Sequence, residues 1–179
     1  VQKKRNRMMP KIFYKYSEQS IVFTDLDLQK NEIYLQFVQR LMKKGKKSRA
    51  ETLFRQTLQI LEQKDTSSDN VFALLEKAVK NTKPAFFLKK ARIGGTSQQI
   101  PSALDPKKKE AAAVRALLQI ATEKQKRNAQ RKDSKTTFAD FLATELYEAS
   151  QGFGAALQKR DELHKLAEAN RALLTQRWW

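Results

Sequence analysis

The one histidine, His164, stands between Asp161 and Glu168 at helical spacing, the first arrangement that could support general acid–base chemistry. Such chemistry needs a pocket and a partner that tunes the imidazole. Any charged helix surface supplies the same spacing, so the trio assigns no catalyst. No cysteine is present, which removes disulfides, thiolate metal sites and cysteine nucleophiles. A lone histidine completes no metal-ligand set. No cofactor is implied, and the chain reads as something other than an enzyme. Gly45-Lys46-Lys47-Ser48 imitates the end of a phosphate-binding loop. That loop needs an earlier glycine and a preceding strand, and this sequence offers neither. Lys46 and Lys47 instead precede the expected start of a helix, where free N–H groups and the helix dipole favour an anion. Their chemistry is phosphate contact.

Other cations cluster in the same way. Lys3, Lys4, Arg5, Arg7 and Lys11 occupy a stretch without acids. Lys89, Lys90 and Arg92 flank a Gly-Gly pair. Lys107, Lys108 and Lys109 open a helical pattern, with Arg115 two turns on. Lys159 and Arg160 open another. Arg177 precedes Trp178 and Trp179, which could stack on bases or pack as a terminal staple. Against 19 Asp+Glu, 36 Lys+Arg leave a net charge of +17. Self-repulsion at that charge is offset by a polyanionic partner. No run approaches the ~18 apolar residues that span a bilayer, so nucleic acid is favoured over a membrane.

The elements that must carry these clusters are mostly helical. Residues 1–30 read as a basic extension, disordered when free. Helices are predicted over about 30–44, 48–63, 70–81, 105–122, 136–149 and 155–175, from apolar residues recurring at helical spacing. The first would bury Ile33, Tyr34, Phe37, Val38, Leu41 and Met42. Gly45 would close it, and Ser48 with Glu51 would form a capping box for the second. The last would bury Ala156, Leu163, Leu166, Ala167, Ala169 and Leu173. Glu123 to Ser134 reads as a polar extension or linker. Two extended runs around Gly94-Gly95 predict a β-hairpin at about 85–101. The fold class is mostly α: a six-helix orthogonal bundle with one protruding hairpin, forming a single domain over 31–179.

These residues resemble a known family in four collinear places. Leu41 to Glu51 is similar to the LMxxGKKSxAE turn of the small-subunit ribosomal protein seven family. Asn81 to Pro84 matches its NxxP. Arg92 to Thr96, with Ile100-Pro101, matches its RVGG hairpin. Lys159 to Ala172, then Arg177-Trp178, matches its closing helix, including the AEAN of Ala167 to Asn170. The resemblance covers about residues 31–179. It implies binding to the head domain of small-subunit ribosomal RNA, initiation of head assembly, and a hairpin near exit-site transfer RNA and messenger RNA. Neighbouring small-subunit proteins are implied partners; self-association is not. Arg49 joins Lys46 and Lys47 as a phosphate contact that the resemblance implies, and His164 becomes a packing or RNA-face residue.

The sequence departs from bacterial members in its longer Glu123 to Ser134 segment and in Ser97-Gln98-Gln99, which lacks an aromatic residue. The insert, the double tryptophan and a start at Val1 resemble organellar members, with a mitochondrial ribosome expected ahead of a plastid one. The competing reading is a free helix-turn-helix DNA- or RNA-binding factor, or a ribosome-assembly factor, using the turn at Gly45.

Overall fold

Asn31 fixes the start of the first helix: its Oδ1 accepts from the N–H groups of Ile33 (3.0 Å) and Tyr34 (3.1 Å). In the computed structural model, residues 31–64, 70–129 and 136–177 are described. They form six α-helices, a β-hairpin and a closing 3₁₀ turn: α1 (Glu32–Leu41), α2 (Lys47–Lys64), α3 (Val71–Thr82), β1 (Phe86–Ile93), β2 (Thr96–Ala103), α4 (Pro106–Ala129), α5 (Phe138–Gln151), α6 (Ala155–Ala169) and the turn Arg171–Gln176. The mostly helical fold and its hairpin match the sequence expectation. The expected extension over 1–30 and Trp178 lie outside the described residues.

Helix α5 is the centre of the bundle and packs on α2, α3 and α4. Small residues make that possible: Ala139, Ala143 and Ala149 are buried on it beside Leu142 and Leu146. Helix α1 lies across α2 and α4. Phe37 stacks on Phe54 of α2 with centroids 4.9 Å apart, and both rings are fully buried. Burial of side chains this size contributes roughly 1.5–3 kcal/mol each.

The hairpin pairs Phe86 with Ala103 at its base and Ile93 with Thr96 at its tip. Gly94 and Gly95 have φ of 56° and 85°, as a two-residue hairpin turn with both residues left-handed requires. Two strands alone are marginal in water. This pair leans on α6 and the 3₁₀ turn, and Ile100 is fully buried at its inner end.

Several sequence expectations need correction. Helix α1 stops at Leu41 because Met42 turns extended, and Met42 is exposed. Gly45 does not cap it. Lys44 (φ 54°) and Gly45 (φ 71°) instead form a left-handed turn three residues beyond the helix end. Helix α2 then begins at Lys47, so Ser48 falls inside the first turn and Glu51 pairs with Lys47 at 3.6 Å. A capping box occurs instead at α5, where the Asp140 carboxylate accepts from the Thr137 N–H at 2.7 Å. Helix α4 continues through Glu123 to Ala129, the first half of the expected linker. Helix α6 ends at Ala169, and Leu166 faces solvent while Ala156, Leu157 and Ala167 are buried.

Candidate nucleic-acid interface

Four of the cations singled out in sequence meet at one cleft of about 740 Å³, lined by Lys89, Lys108, Arg115 and Arg177, with Phe87. Three segments far apart in the chain supply them. Lys89 comes from β1, Lys108 and Arg115 from α4, and Arg177 from the residue after the 3₁₀ turn. All four are exposed, and Phe87 keeps 40% of its surface open. Among the described residues one carboxylate lines the cleft, Asp105, and Lys108 binds it at 2.6 Å. That hydrogen bond and charge hold the Asp105 carboxyl below its usual range. The acid stays ionised but is already partnered. Cations around an exposed aromatic ring suit a nucleic-acid strand, whose phosphates take the charge and whose bases can stack.

The hairpin divides its own cluster. Side chains alternate along a strand, so Lys90 and Arg92 point away from the face that carries Lys89. Both are exposed towards the tip. Lys107 is exposed at the start of α4, and Lys109 is half-buried. At the turn before α2, Lys46, Lys47 and Arg49 are exposed, and Arg49 borders a shallow depression of about 280 Å³ with Ser48, Thr52 and Gln56.

Lys159 and Arg160 do not join the cleft. Lys159 lies with Lys124 and Arg127 between α4 and α6. Arg160 turns inward: its Nη1 donates to the Asn81 carbonyl, and its Nε and Nη2 donate to Asp161 at 2.8 and 2.7 Å. Asn81 in turn donates to the Ala149 and Ser150 carbonyls at the end of α5 (2.9 and 3.2 Å). Arg160 therefore locks α6 onto α3 and α5, a structural role that its basic neighbour in sequence concealed.

His164 also works through structure. Its Nε2 accepts from the Ala85 N–H at 3.0 Å, and its ring meets Phe86 edge-on at 6.1 Å. The histidine holds the root of the hairpin against α6.

A buried ion pair positions α6 from below. Glu145 of α5 is fully buried; its Oε1 accepts from the Ala156 N–H at 2.9 Å, and its Oε2 meets Lys124 Nζ at 2.5 Å. Glu148 lies 3.3 Å from the same lysine. Burial alone would lower the Lys124 pKa. The hydrogen bond and charge of Glu145, with Glu148, outweigh it, so the value rises above the ordinary lysine range. This carboxylate caps α6 from another helix. No sequence spacing announces it, because Lys124 and Glu145 are far apart in the chain.

Among the described residues no group of acids and histidine is arranged to hold a metal ion, and no helix is long and apolar enough to cross a membrane.

The chain has many relatives. The sequence model of ribosomal protein S7p/S5e matches residues 2–171. The "Small ribosomal subunit protein uS7" of Colwellia psychrerythraea is 36% identical over 148 residues, covering 83% of this chain and 88% of that protein. The protein of the same name from Vibrio campbellii is 35% identical over 149 residues, and that from Thermomicrobium roseum 34% over 148, with the same coverage of both chains. A match across nearly the whole sequence, with relatives this similar over most of their length, places the chain in the ribosomal protein S7p/S5e family.

Proposed function

We propose that this chain is a structural, non-catalytic constituent of the small ribosomal subunit, where it binds ribosomal RNA of the head and starts head assembly. The observation that carries the reading is the cleft in which Lys89, Lys108, Arg115 and Arg177 converge while Asp105, the one acid lining it among the described residues, is already paired. A folded RNA presents phosphates from several directions. It suits cations arriving from three segments better than one duplex groove would. Lys46, Lys47 and Arg49 extend the contact along the turn before α2, and Lys107 and Lys109 along α4. Residues 31–179 act as one RNA-binding domain, and the basic residues of 1–30 add phosphate contacts as an extension. The hairpin, anchored at its root and exposed at its tip, reaches towards exit-site transfer RNA and messenger RNA. Neighbouring small-subunit proteins complete the surroundings. The long Glu123 to Ser134 segment favours the mitochondrial ribosome, with the plastid ribosome second.

Titrating the full chain against a transcript of the head domain across a salt series tests the RNA reading. Affinity should fall steeply, with a log–log slope of about −0.7 to −0.9 per phosphate contacted. A flat response would remove phosphate binding from the account. Fractionating source cells tests the compartment: the chain should follow mitochondrial markers, and enrichment with plastid or cytosolic ribosomes would contradict that assignment.

A further inference from the structure

A second concavity, of about 470 Å³, opens between the hairpin root, α6 and the 3₁₀ turn. Phe86 lines it, whereas Phe87, the next residue of β1, lines the basic cleft. Successive side chains of a strand point to opposite faces, so the two concavities lie on opposite sides of the root. The walls of the second are apolar: Phe86, Pro101, Ala103, Ala167 and Leu174. Phe86 and Leu174 still leave 46% and 47% of their surface open. Four cations gather at the cleft; here Arg171 and Arg177 share the rim with Glu168. His164, which also lines the groove, is engaged by the Ala85 N–H. Such a groove suits a flat apolar group with one polar edge. The chain carries that group beside it. Arg177 lines the groove, its backbone is extended, and its N–H donates to the Leu174 carbonyl at 3.2 Å. Trp178 comes next, outside the described residues, with its Cα about 3.8 Å from that of Arg177. An indole tethered at the rim has an effective concentration in the groove that a separate partner does not reach.

We propose that Trp178 folds back and seats its indole in this groove, between Phe86 and Leu174. Covering an indole removes roughly 150–250 Å² from water, and the Phe86 ring offers it an aromatic contact. A buried indole N–H needs an acceptor, and the Glu168 carboxylate stands at the rim to serve as one. A nucleotide is better served on the other side of the hairpin, where four cations surround Phe87. The seating has a consequence for that cleft, because Arg177 lines both concavities. Anchoring the next residue fixes the backbone that carries Arg177, which makes Trp178 a positioning residue for a phosphate contact. That consequence, unlike the seating itself, rests on the RNA-binding reading above.

Trp178 and Trp179 are the two tryptophans of the chain, so Trp179→Phe leaves Trp178 as the sole indole. In the full chain carrying that change, free of RNA, Trp178 emission should lie to the blue of its position in urea. Acrylamide should quench it several-fold less than in urea. Adding Leu174→Lys, a change at an exposed position, should move both readings to their urea values while the far-ultraviolet circular dichroism stays helical. If that variant loses helix, Ala103→Glu, on the opposite wall, carries the comparison. Quenching of Trp178 as strong in the native chain as in urea overturns the seating, and so does protection that neither groove variant changes. Protection that arises only on adding the head-domain transcript would make Trp178 a base-stacking residue. Protection that rises with protein concentration would seat a second copy, and protection found only in assembled subunits would seat a neighbouring protein. Each of these three outcomes also overturns the proposal. For the consequence, Arg177→Gln should weaken binding of the transcript several-fold, Trp178→Ala should reproduce part of that loss, and the double variant should bind no more weakly than Arg177→Gln. Losses that multiply would give Trp178 an RNA contact of its own and remove the positioning role. If the parent shows no salt-dependent RNA binding, the RNA-binding reading fails, and the fluorescence of the free chain still decides the seating.

Discussion

The Ala85 N–H and the His164 Nε2 lie 3.0 Å apart and join the root of the hairpin to α6. The bond uses the imidazole as an acceptor, and the Phe86 ring stands against the same side chain. A residue that looks available for catalysis is therefore a bracket. His164→Ala should leave the Ala85 amide without its acceptor and cost about 1–3 kcal/mol, the range for an orphaned donor. Amide exchange at Ala85 should quicken, as measured by hydrogen–deuterium exchange. Unchanged protection there would mean that the hairpin root is held without the histidine.

The Glu145–Lys124 pair makes a stronger demand. Glu145→Ala removes both the cap on α6 and the partner of a partly buried lysine. Breaking a buried pair from one side typically costs about 3–5 kcal/mol. Urea melts should show a loss of that order, larger than for Glu148→Ala. A pH dependence follows from the raised Lys124 value. A base whose folded pKa lies above its unfolded one stabilises fully below the unfolded value, 10.5, and loses that contribution as pH rises through the folded value. The stability difference between parent and Lys124→Met should therefore shrink above pH 10.5. A difference independent of pH would contradict the pairing.

Two glycines separate conformation from contact. Gly154 has φ of 108°, and a Cβ there would come 3.0 Å from Glu148 Cβ and 3.2 Å from its carboxylate. Gly45 has φ of 71° with nothing within 4 Å. Gly45→Ala should cost about 1–2 kcal/mol, the left-handed penalty alone. Gly154→Ala should cost more, because it also disturbs the Glu148 side of the Lys124 cluster. Thermal melts of the two variants check the order.

Lys89 pairs in register with Ile100, and Lys90 with Gln99. Replacing Lys90 to Gln99 by a two-residue turn should therefore keep the root and the cleft lysine while removing the tip. RNA affinity should stay largely intact, while exit-site function in reconstituted subunits should suffer. A large loss of RNA binding would show that Lys90 and Arg92 are needed for docking.

The helices and the hairpin were legible because their signals are local. Tyr34, Phe37 and Val38 repeat at helical spacing, and Gly94-Gly95 permits one kind of turn. The caps were less so. Ser48 with Glu51 has the right spacing, yet the left-handed turn at Lys44 and Gly45 starts α2 at Lys47, two residues too early for Ser48 to cap it. The basic clusters showed the chemistry but not its geometry. Lys89, Lys108, Arg115 and Arg177 converge, whereas Arg160 is drawn inward by the Asn81 carbonyl, and only packing decides which. The Lys124–Glu145 pair was hidden because Lys124 lies in a stretch whose composition suggests a linker.

The most direct test of a small-subunit role is sedimentation of a native extract from the source cells through a sucrose gradient at physiological salt. The chain should travel with small ribosomal subunits and with their RNA. Recovery at the top of the gradient among free proteins, with the small-subunit peak lacking it, would contradict the account.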